Sequence, residues 1–148
     1  MILDVISKKT FETLYNARKK GIFSFGLYGV VEIVYTNDIL HQLTPVPDQE
    51  APPLPVFHKI VVPGTEFQAA VWRHLLSIQQ GETQSYSDVA RAIGRPKAFR
   101  AVGQAVGANP IGILIPCHRV LAQNKKIGGF AWGTELKRKW LSIEKYDN

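Results

Sequence analysis

Apolar and polar positions divide the chain into three stretches. From Lys8 to Lys20, Phe11, Leu14 and Tyr15 fall on one side of a helix that Gly21 would stop. From Phe23 to Leu43 the residues are largely β-branched and aromatic, with breaks at Gly26, Gly29 and Asn37-Asp38, which predicts two or three short antiparallel strands. Six of the nine prolines then fall between Pro45 and Pro63, so Thr44 to Val56 is expected to be an extended linker, neither helix nor central strand.

Beyond the linker the period becomes helical. Thr65 is placed to cap a helix carrying Phe67, Val71, Leu75 and Ile78 on one face and ending by Gly81. Ser85 to Asp88 has the spacing of a capping box, followed by Val89, Ile93 and a stop at Gly94. Pro96 suits the first turn of the next helix, whose buried face is expected to be Phe99, Val102 and Val106. Two short helices joined by Gly94-Arg95-Pro96 predict a helix-turn-helix. A last amphipathic helix starts near Thr134, turns Leu136, Trp140, Leu141 and Ile143 inward, and closes with Glu144. The expectation is an α/β (α+β) protein. A small β-containing N-terminal domain over residues 1–61 ends in the linker, and a winged-helix-like helix-turn-helix domain covers residues 62–148.

Charge sharpens that division. The chain has 148 residues, enough for one domain or two small ones, and ordinary globular proportions of 45% hydrophobic and 20% charged residues. Its net charge of +6 lies wholly in the second part: residues 1–61 hold six basic and six acidic residues, residues 62–148 twelve and six. A basic small domain attracts polyanions, nucleic acid above all, although a solvated basic face would look the same. The expected location is a reducing cytosol: the single cysteine is unpaired, no apolar run reaches membrane-spanning length, and Met1-Ile2-Leu3-Asp4 does not read as a signal peptide.

The second helix of the pair is unusual. Lys97, Arg100 and Gln104 share a polar face, surrounded by Ala98, Ala101, Gly103, Ala105, Gly107 and Ala108. Glycine inside a helix costs roughly 1 kcal/mol relative to alanine, so these small residues need a reason. Tight packing against a neighbouring helix is one, and close approach to a DNA groove is the other. The basic face favours the groove. Lys125-Lys126 and Lys137-Arg138-Lys139 are expected to be solvated faces that add non-specific, salt-sensitive attraction to DNA.

The candidate chemistry sits on Cys117, within Pro116-Cys117-His118-Arg119-Val120. A buried lone cysteine is ordinarily inert packing. Here an apolar run, Ile111 to Ile115, delivers it past a proline to a neighbouring imidazole. A thiol needs a base and a fixed position to react as thiolate, because its ordinary pKa is ~8.5. The base in turn needs an orienting group, normally a carboxylate. Glu144 is the candidate, with Glu66, Glu82 and Glu135 also available. His41, His58 and His74 read as structural or surface residues, not metal ligands.

These residues resemble a family, the methylated-DNA–protein-cysteine methyltransferases or 6-O-methylguanine-DNA alkyltransferases. The resemblance rests on Phe67-Gln68 with Val71-Trp72, Gly81-Glu82 with Ser85-Tyr86, Arg100 to Gly103, Asn109-Pro110, Ile113 to Val120, Gly128 to Phe130, and the Lys-rich last helix ending in Glu144. It implies that Cys117 accepts the alkyl group, that His118 takes its proton through a water, and that Glu144 orients the histidine. Asn109 would hold the thiol-bearing segment, and Tyr86 would contact the DNA backbone and donate to the departing guanine. Arg100 would fill the gap left by a flipped nucleotide, with Lys97, Ala101 and Gly103 on the helix lying in the minor groove. Val120, Phe130, Ala131 and Trp132 would form the substrate pocket.

The implied reaction is irreversible alkyl transfer from 6-O-alkylguanine in duplex DNA, once per molecule, without cofactor or metal. 4-O-alkylthymine is left open as a second substrate. The expected partner is double-stranded DNA containing alkylated guanine, bound by a monomer, with no membrane involved. The chain departs from human-type members at Gly112 (a proline there), Ala131 (a serine) and Trp132 (a small residue), so a hydrogen bond to the guanine oxygen is expected to be missing and benzyl-sized groups to be disfavoured. Three rivals remain. A non-catalytic protein that recognises alkylated DNA is disfavoured by Cys117, a Cys-His hydrolase by the lack of a recognisable oxyanion hole, and a transcription regulator by too few base-reading side chains on residues 101–108.

Overall fold

The computed structural model describes residues 1–146, with the side chain of Tyr146 left aside. The chain folds as two compact units. One comprises Met1–Ala69 with Pro110–Gly112, the other Ala70–Asn109 with the chain from Ile113 onward.

The first unit is a five-stranded sheet in the order β1-β5-β4-β3-β2, made of β1 (Ile2–Ile6), β2 (Lys19–Ser24), β3 (Val30–Thr36), β4 (Ile39–Val46) and β5 (Lys59–Pro63). Strands β2, β3 and β4 are antiparallel, whereas β5 runs parallel to both β1 and β4. Val31, Ile33, Leu40, Leu43, Ile60 and Val62 lie in the core, and Val30, Val34 and Val61 beside them are buried too. A single helix, α1 (Lys8–Leu14), packs on β5 and buries Phe11.

Two expectations fail here. The helix expected over Lys8 to Lys20 stops at Leu14, and Lys19 already pairs with Tyr35. The edge of the sheet claims the Lys19-Lys20 segment, and lysines on an edge strand deter pairing with other chains. The proline-rich linker also begins later than expected, because β4 continues through Pro45, opposite Val31. Leu43 donates its N–H to the Pro110 carbonyl at 2.9 Å, away from β3. Pro45, two residues on, turns its nitrogen to the same side, so its missing N–H costs the β3–β4 ladder nothing.

Helix α2 (Glu66–Leu75) carries the chain from the first unit into the second. Thr65 and Gln68 cap it reciprocally, side chain to backbone, at 3.1 and 3.0 Å. The second unit then contains β6 (Gln84–Ser85), α3 (Tyr86–Ala92), α4 (Phe99–Gly107), β7 (Val120–Leu121) and α5 (Thr134–Tyr146). The short strands β6 and β7 pair in parallel, and α3 packs on α4 as a helix-turn-helix. Ser85 and Asp88 form a full capping box for α3. Gly94, at φ +78°, supplies the left-handed residue that ends α3. Pro96 lies in the turn before α4 instead of in its first helical turn.

Phe99 does not join the buried face of α4. It is 44% exposed at the first position of the helix, and the Arg100 guanidinium lies over its ring, 5.9 Å from the centroid. Val102 and Val106 are buried, and Trp72 holds the helix in place by donating to the Ala105 carbonyl at 2.8 Å. The architecture is α/β, with a sheet-bearing N-terminal unit and a helix-turn-helix unit after it. Among the described residues no helix is long and apolar enough to cross a membrane.

Candidate active site

Residues 113–119, with Asn109, build the centre of the second unit without regular strand. Asn109, buried just beyond the end of α4, donates its Nδ2–H to the Ile115 carbonyl at 2.8 Å. The Cys117 N–H bonds the same carbonyl at 2.7 Å. The apolar run is a tight excursion in which Ile113 takes φ +69°, a conformation that costs a β-branched residue about 1–3 kcal/mol. The surrounding hydrogen bonds hold it. Cys117 to Arg119 then form one 3-10 turn, so Cys117 and His118 are not opposed as strand neighbours would be.

Cys117 is 2% exposed and lines a cavity of about 370 Å³ together with Tyr86, Gly103, Asn109, Phe130, Trp132 and Lys137. Gly129 and Ala131 complete the wall formed by the segment before α5. Phe130, Trp132 and Trp140 make an aromatic cluster, Phe130 standing edge-on to both tryptophans at 5.4 and 5.6 Å. His118 stands edge-on to Trp140 on another side at 5.4 Å.

His118 is wholly buried, and its Nε2–H donates to Glu144 Oε2 at 2.7 Å. Glu144 is therefore the carboxylate brought to the histidine, out of the four candidates. Arg119 grips the same carboxylate through Nε at 2.9 Å and Nη2 at 2.7 Å, and its Nη1 donates to the Ile78 carbonyl at 2.7 Å. Burial alone would raise the Glu144 carboxyl, but hydrogen bonds and charge from His118 and Arg119 outweigh it and hold the group down at about 2. Burial pushes His118 below its ordinary value despite the Glu144 carboxylate, so the ring is neutral at pH 7. With its proton on Nε2, the Nδ1 lone pair is left buried and without a partner among the described residues.

Burial pushes the Cys117 thiol up to about 11, against a hydrogen bond from Asn109 and the charge of Lys137. The resting group is a thiol, shielded and unreactive until something removes its proton. Tyr86 is also pushed up, first by burial and then by Cys117, which keeps its phenol a donor.

Val120 is buried beside the site at the start of β7. Lys97, Arg100 and Ala101 lie exposed along α4 and its approach and do not line the Cys117 cavity. A Cβ at Gly103 would meet Tyr86 at an ordinary 3.8 Å, and one at Gly107 would meet nothing within 4 Å. Packing inside the chain therefore does not require glycine at either position.

Two residues carry more of the site than their sequence context suggests. Arg119, in the run after Cys117, makes three of the site's hydrogen bonds. Lys137 belongs to a basic run expected on a solvated face, but it is 1% exposed and lines the cavity with Cys117. Residues 137, 140 and 144 recur at helical spacing, so a lysine three before an inward Trp140 must also point inward. On the last helix only Trp140 of the four expected apolar residues is fully buried, and Lys137 and Glu144 complete that face.

The sequence model for the DNA-binding domain of 6-O-methylguanine DNA methyltransferase matches residues 66–146. A probable methylated-DNA–protein-cysteine methyltransferase of Acanthamoeba polyphaga mimivirus is 55% identical over 82 residues, 55% of this chain and 54% of that protein. The inducible methylated-DNA–protein-cysteine methyltransferase of Bacillus subtilis is 51% identical over 82 residues, 55% of this chain and 46% of that protein. The chain thus spans about half the length of the curated relatives it matches. Mycobacterium tuberculosis OGT, crystallised in complex with DNA, superposes with a TM-score of 0.73 at 32% identity, covering 84% of this chain and 91% of that one. With more than half of its residues matched to the family model, this chain belongs to the 6-O-methylguanine DNA methyltransferase family.

Proposed function

We propose that this protein repairs DNA by moving the alkyl group of 6-O-alkylguanine onto Cys117, once per molecule. The observation that carries the reading is a buried thiol facing a cavity, next to a neutral histidine whose far nitrogen is anchored on a buried carboxylate. Transfer chemistry belongs to residues from 62 onward, and residues 1–61 support them.

The methyl carbon on guanine O6 lies within the base stack, so the nucleotide must leave the duplex to reach Cys117. Flipping costs a few kcal/mol. Arg100 offsets part of that by occupying the gap, and Ala101, Gly103 and Lys97 let α4 lie close in the minor groove. His118 Nδ1 accepts the thiol proton through a water, and Glu144 stabilises the imidazolium that forms. The thiolate attacks the methyl carbon in line. The S–C bond forms as the C–O6 bond breaks, the electron pair stays with guanine, and Tyr86 donates to the departing ring. Asn109 fixes the loop that carries the thiol. The thioether has no route back to thiol, so each monomer acts once, without cofactor. Phe130, Ala131, Trp132 and the backbone near Val120 bound the pocket, and Trp132 selects for small alkyl groups.

The test is intact-protein mass spectrometry after incubation with a duplex holding one 6-O-methylguanine, with Cys117→Ser alongside. The expected result is a gain of about one methylene mass on the parent and none on the variant. A 6-O-benzylguanine duplex should react more slowly. No gain with lesion binding retained would make this a damage-recognition protein. No gain and no lesion preference would leave a basic DNA-binding unit.

A further inference from the structure

Lys137 is a cation in the wrong place for a solubility residue. It is 1% exposed, and lysine is almost never buried without a partner. Its compensation is thin. Nζ donates to the Gly129 carbonyl at 3.3 Å and lies 5.6 Å from the Phe130 ring centroid. Among the described residues no carboxylate pairs with it. Glu144, two turns along the same helix, is held by His118 and Arg119. The contacts that Lys137 does make, Gly129 and Phe130, are themselves walls of the Cys117 cavity, and so is Lys137.

We infer that the Lys137 ammonium is the counter-charge that allows Cys117 to ionise inside its cavity, which makes it a positioning residue for the transfer proposed above. The inference rests on that reading only for what the thiolate attacks. Each group is costly to charge alone in a site shielded from water, and each relieves the other when both are charged. Burial draws Lys137 down to about 8, and the Cys117 charge is what opposes it. The Lys137 charge in turn is one of the influences pulling the thiol back down.

The other groups facing this space cannot take that part. Tyr86 is kept protonated and neutral. His118 is neutral, and the charges of Arg119 and Lys137 disfavour its protonation. Arg119 is engaged by Glu144, whose carboxylate closes that part of the site. When the thiol proton leaves for His118, the imidazolium that forms is paired with Glu144, and Lys137 is the cation without a carboxylate that lines the cavity with the sulfur. When the C–O6 bond breaks, the same ammonium faces the negative charge that moves onto guanine.

Cys117 is the single cysteine of the chain, so its ionisation can be read without DNA. The protein is treated with iodoacetamide from about pH 6 to about pH 12, and the rate of carboxamidomethylation is followed by intact mass. The midpoint of that curve belongs to the Cys117–Lys137 pair. Lys137→Met keeps the length and removes the charge. It should raise the midpoint by at least about one unit and slow alkylation near neutral pH by about tenfold or more. Lys137→Arg keeps a permanent charge and should leave the midpoint at or below that of the parent. A methionine variant that titrates with the parent overturns the inference. Should that variant fail to fold, an arginine variant with a midpoint a unit higher overturns it equally. A parent that shows the charge dependence but takes no methyl from DNA would instead sink the proposed reaction and leave the thiolate–ammonium pair standing.

Discussion

Each unit of this protein buries a histidine, and the two are treated differently. His41, on β4 in the first unit, is 3% exposed and satisfied at both ends. Its Nδ1–H donates to the Val61 carbonyl at 2.8 Å, and its Nε2 accepts from Thr36 Oγ1 at 2.9 Å. Phe11 and Tyr15 close over the ring at 5.2 and 4.5 Å between centroids. His118 in the second unit is as deeply buried and also neutral, but only Nε2 is anchored. Buried polar groups in folded proteins are nearly always paired, so a nitrogen left open marks a place where stability has been given up for something else. A closed network makes His41 part of the core. An open one leaves His118 able to take a proton.

The largest expected effect divides the two histidines. His118→Phe keeps the ring volume and removes the base, so transfer from a methylated duplex should slow by about 10² to 10⁴-fold. His41→Phe should leave the transfer rate within a few-fold of the parent while lowering stability by about 1–3 kcal/mol, because the Val61 carbonyl and Thr36 lose their partner. Single-turnover rates and thermal melts on both variants decide it. Equal losses of rate would mean that the open nitrogen has no special part in the chemistry.

The same contrast between units separates what is legible in the sequence from what is not. In the second unit the capping signals, the Asn-Pro break and the Cys-His-Arg run are local, so Cys117 and His118 stand out together in the sequence, whereas Asn109 and Tyr86 join them there only through the family resemblance. Glu144 can be named there as a candidate but not chosen, because pairing across 26 residues is a tertiary fact. Lys137 is easily misread because charge suggests exposure, although its spacing from Trp140 and Glu144 puts it on the inward face. In the first unit, β1, β5 and the early end of α1 leave little local trace. Their pairings are long-range, and an edge strand beginning with Lys19-Lys20 has no local signature that separates it from a helix end. Phe99 departs from its expected place for another reason: an aromatic at a helix start can rest against a neighbouring guanidinium and stay in solvent.

Carboxylates give the second division. Asp38 in the first unit pairs with His58 where both side chains are more than half exposed, at 61% and 57%. Water screens such a pair, and Asp38→Asn should cost less than about 1 kcal/mol. Glu144 is buried between His118 and Arg119, so Glu144→Gln leaves their side uncompensated and should cost about 3–5 kcal/mol. The pH dependence follows in sign. The folded-state value of Glu144, about 2, lies below the ordinary ~4.3 of a glutamate. Its contribution is therefore complete above that ordinary value and is lost as pH falls toward about 2. Chemical denaturation at about pH 7, 4 and 3 should show the parent converging on Glu144→Gln as the medium acidifies, with Asp38→Asn parallel to the parent throughout. A constant gap between parent and Glu144→Gln would mean that the carboxylate charge is not what stabilises the second unit.

The smallest effect concerns the surface. The excess positive charge lies in residues 62–148, and Lys97 and Arg100 are exposed on the face of α4 and its approach that carries the small residues. A side chain that neutralises one phosphate contributes about 0.9 to the slope of log binding constant against log salt. Lys97→Ala should therefore lower the slope for an undamaged duplex by about one, measured by fluorescence anisotropy between about 50 and 200 mM salt. Lys20→Ala, which removes another exposed charge, from the neutral stretch of residues 1–61, should leave the slope unchanged. Two variants with the same slope would mean that the charge acts only through the net field of the molecule and that α4 has no privileged contact. A loss confined to Lys97→Ala would instead place a phosphate at the start of α4, beside the exposed Arg100 and on the same unit as the cavity that holds Cys117.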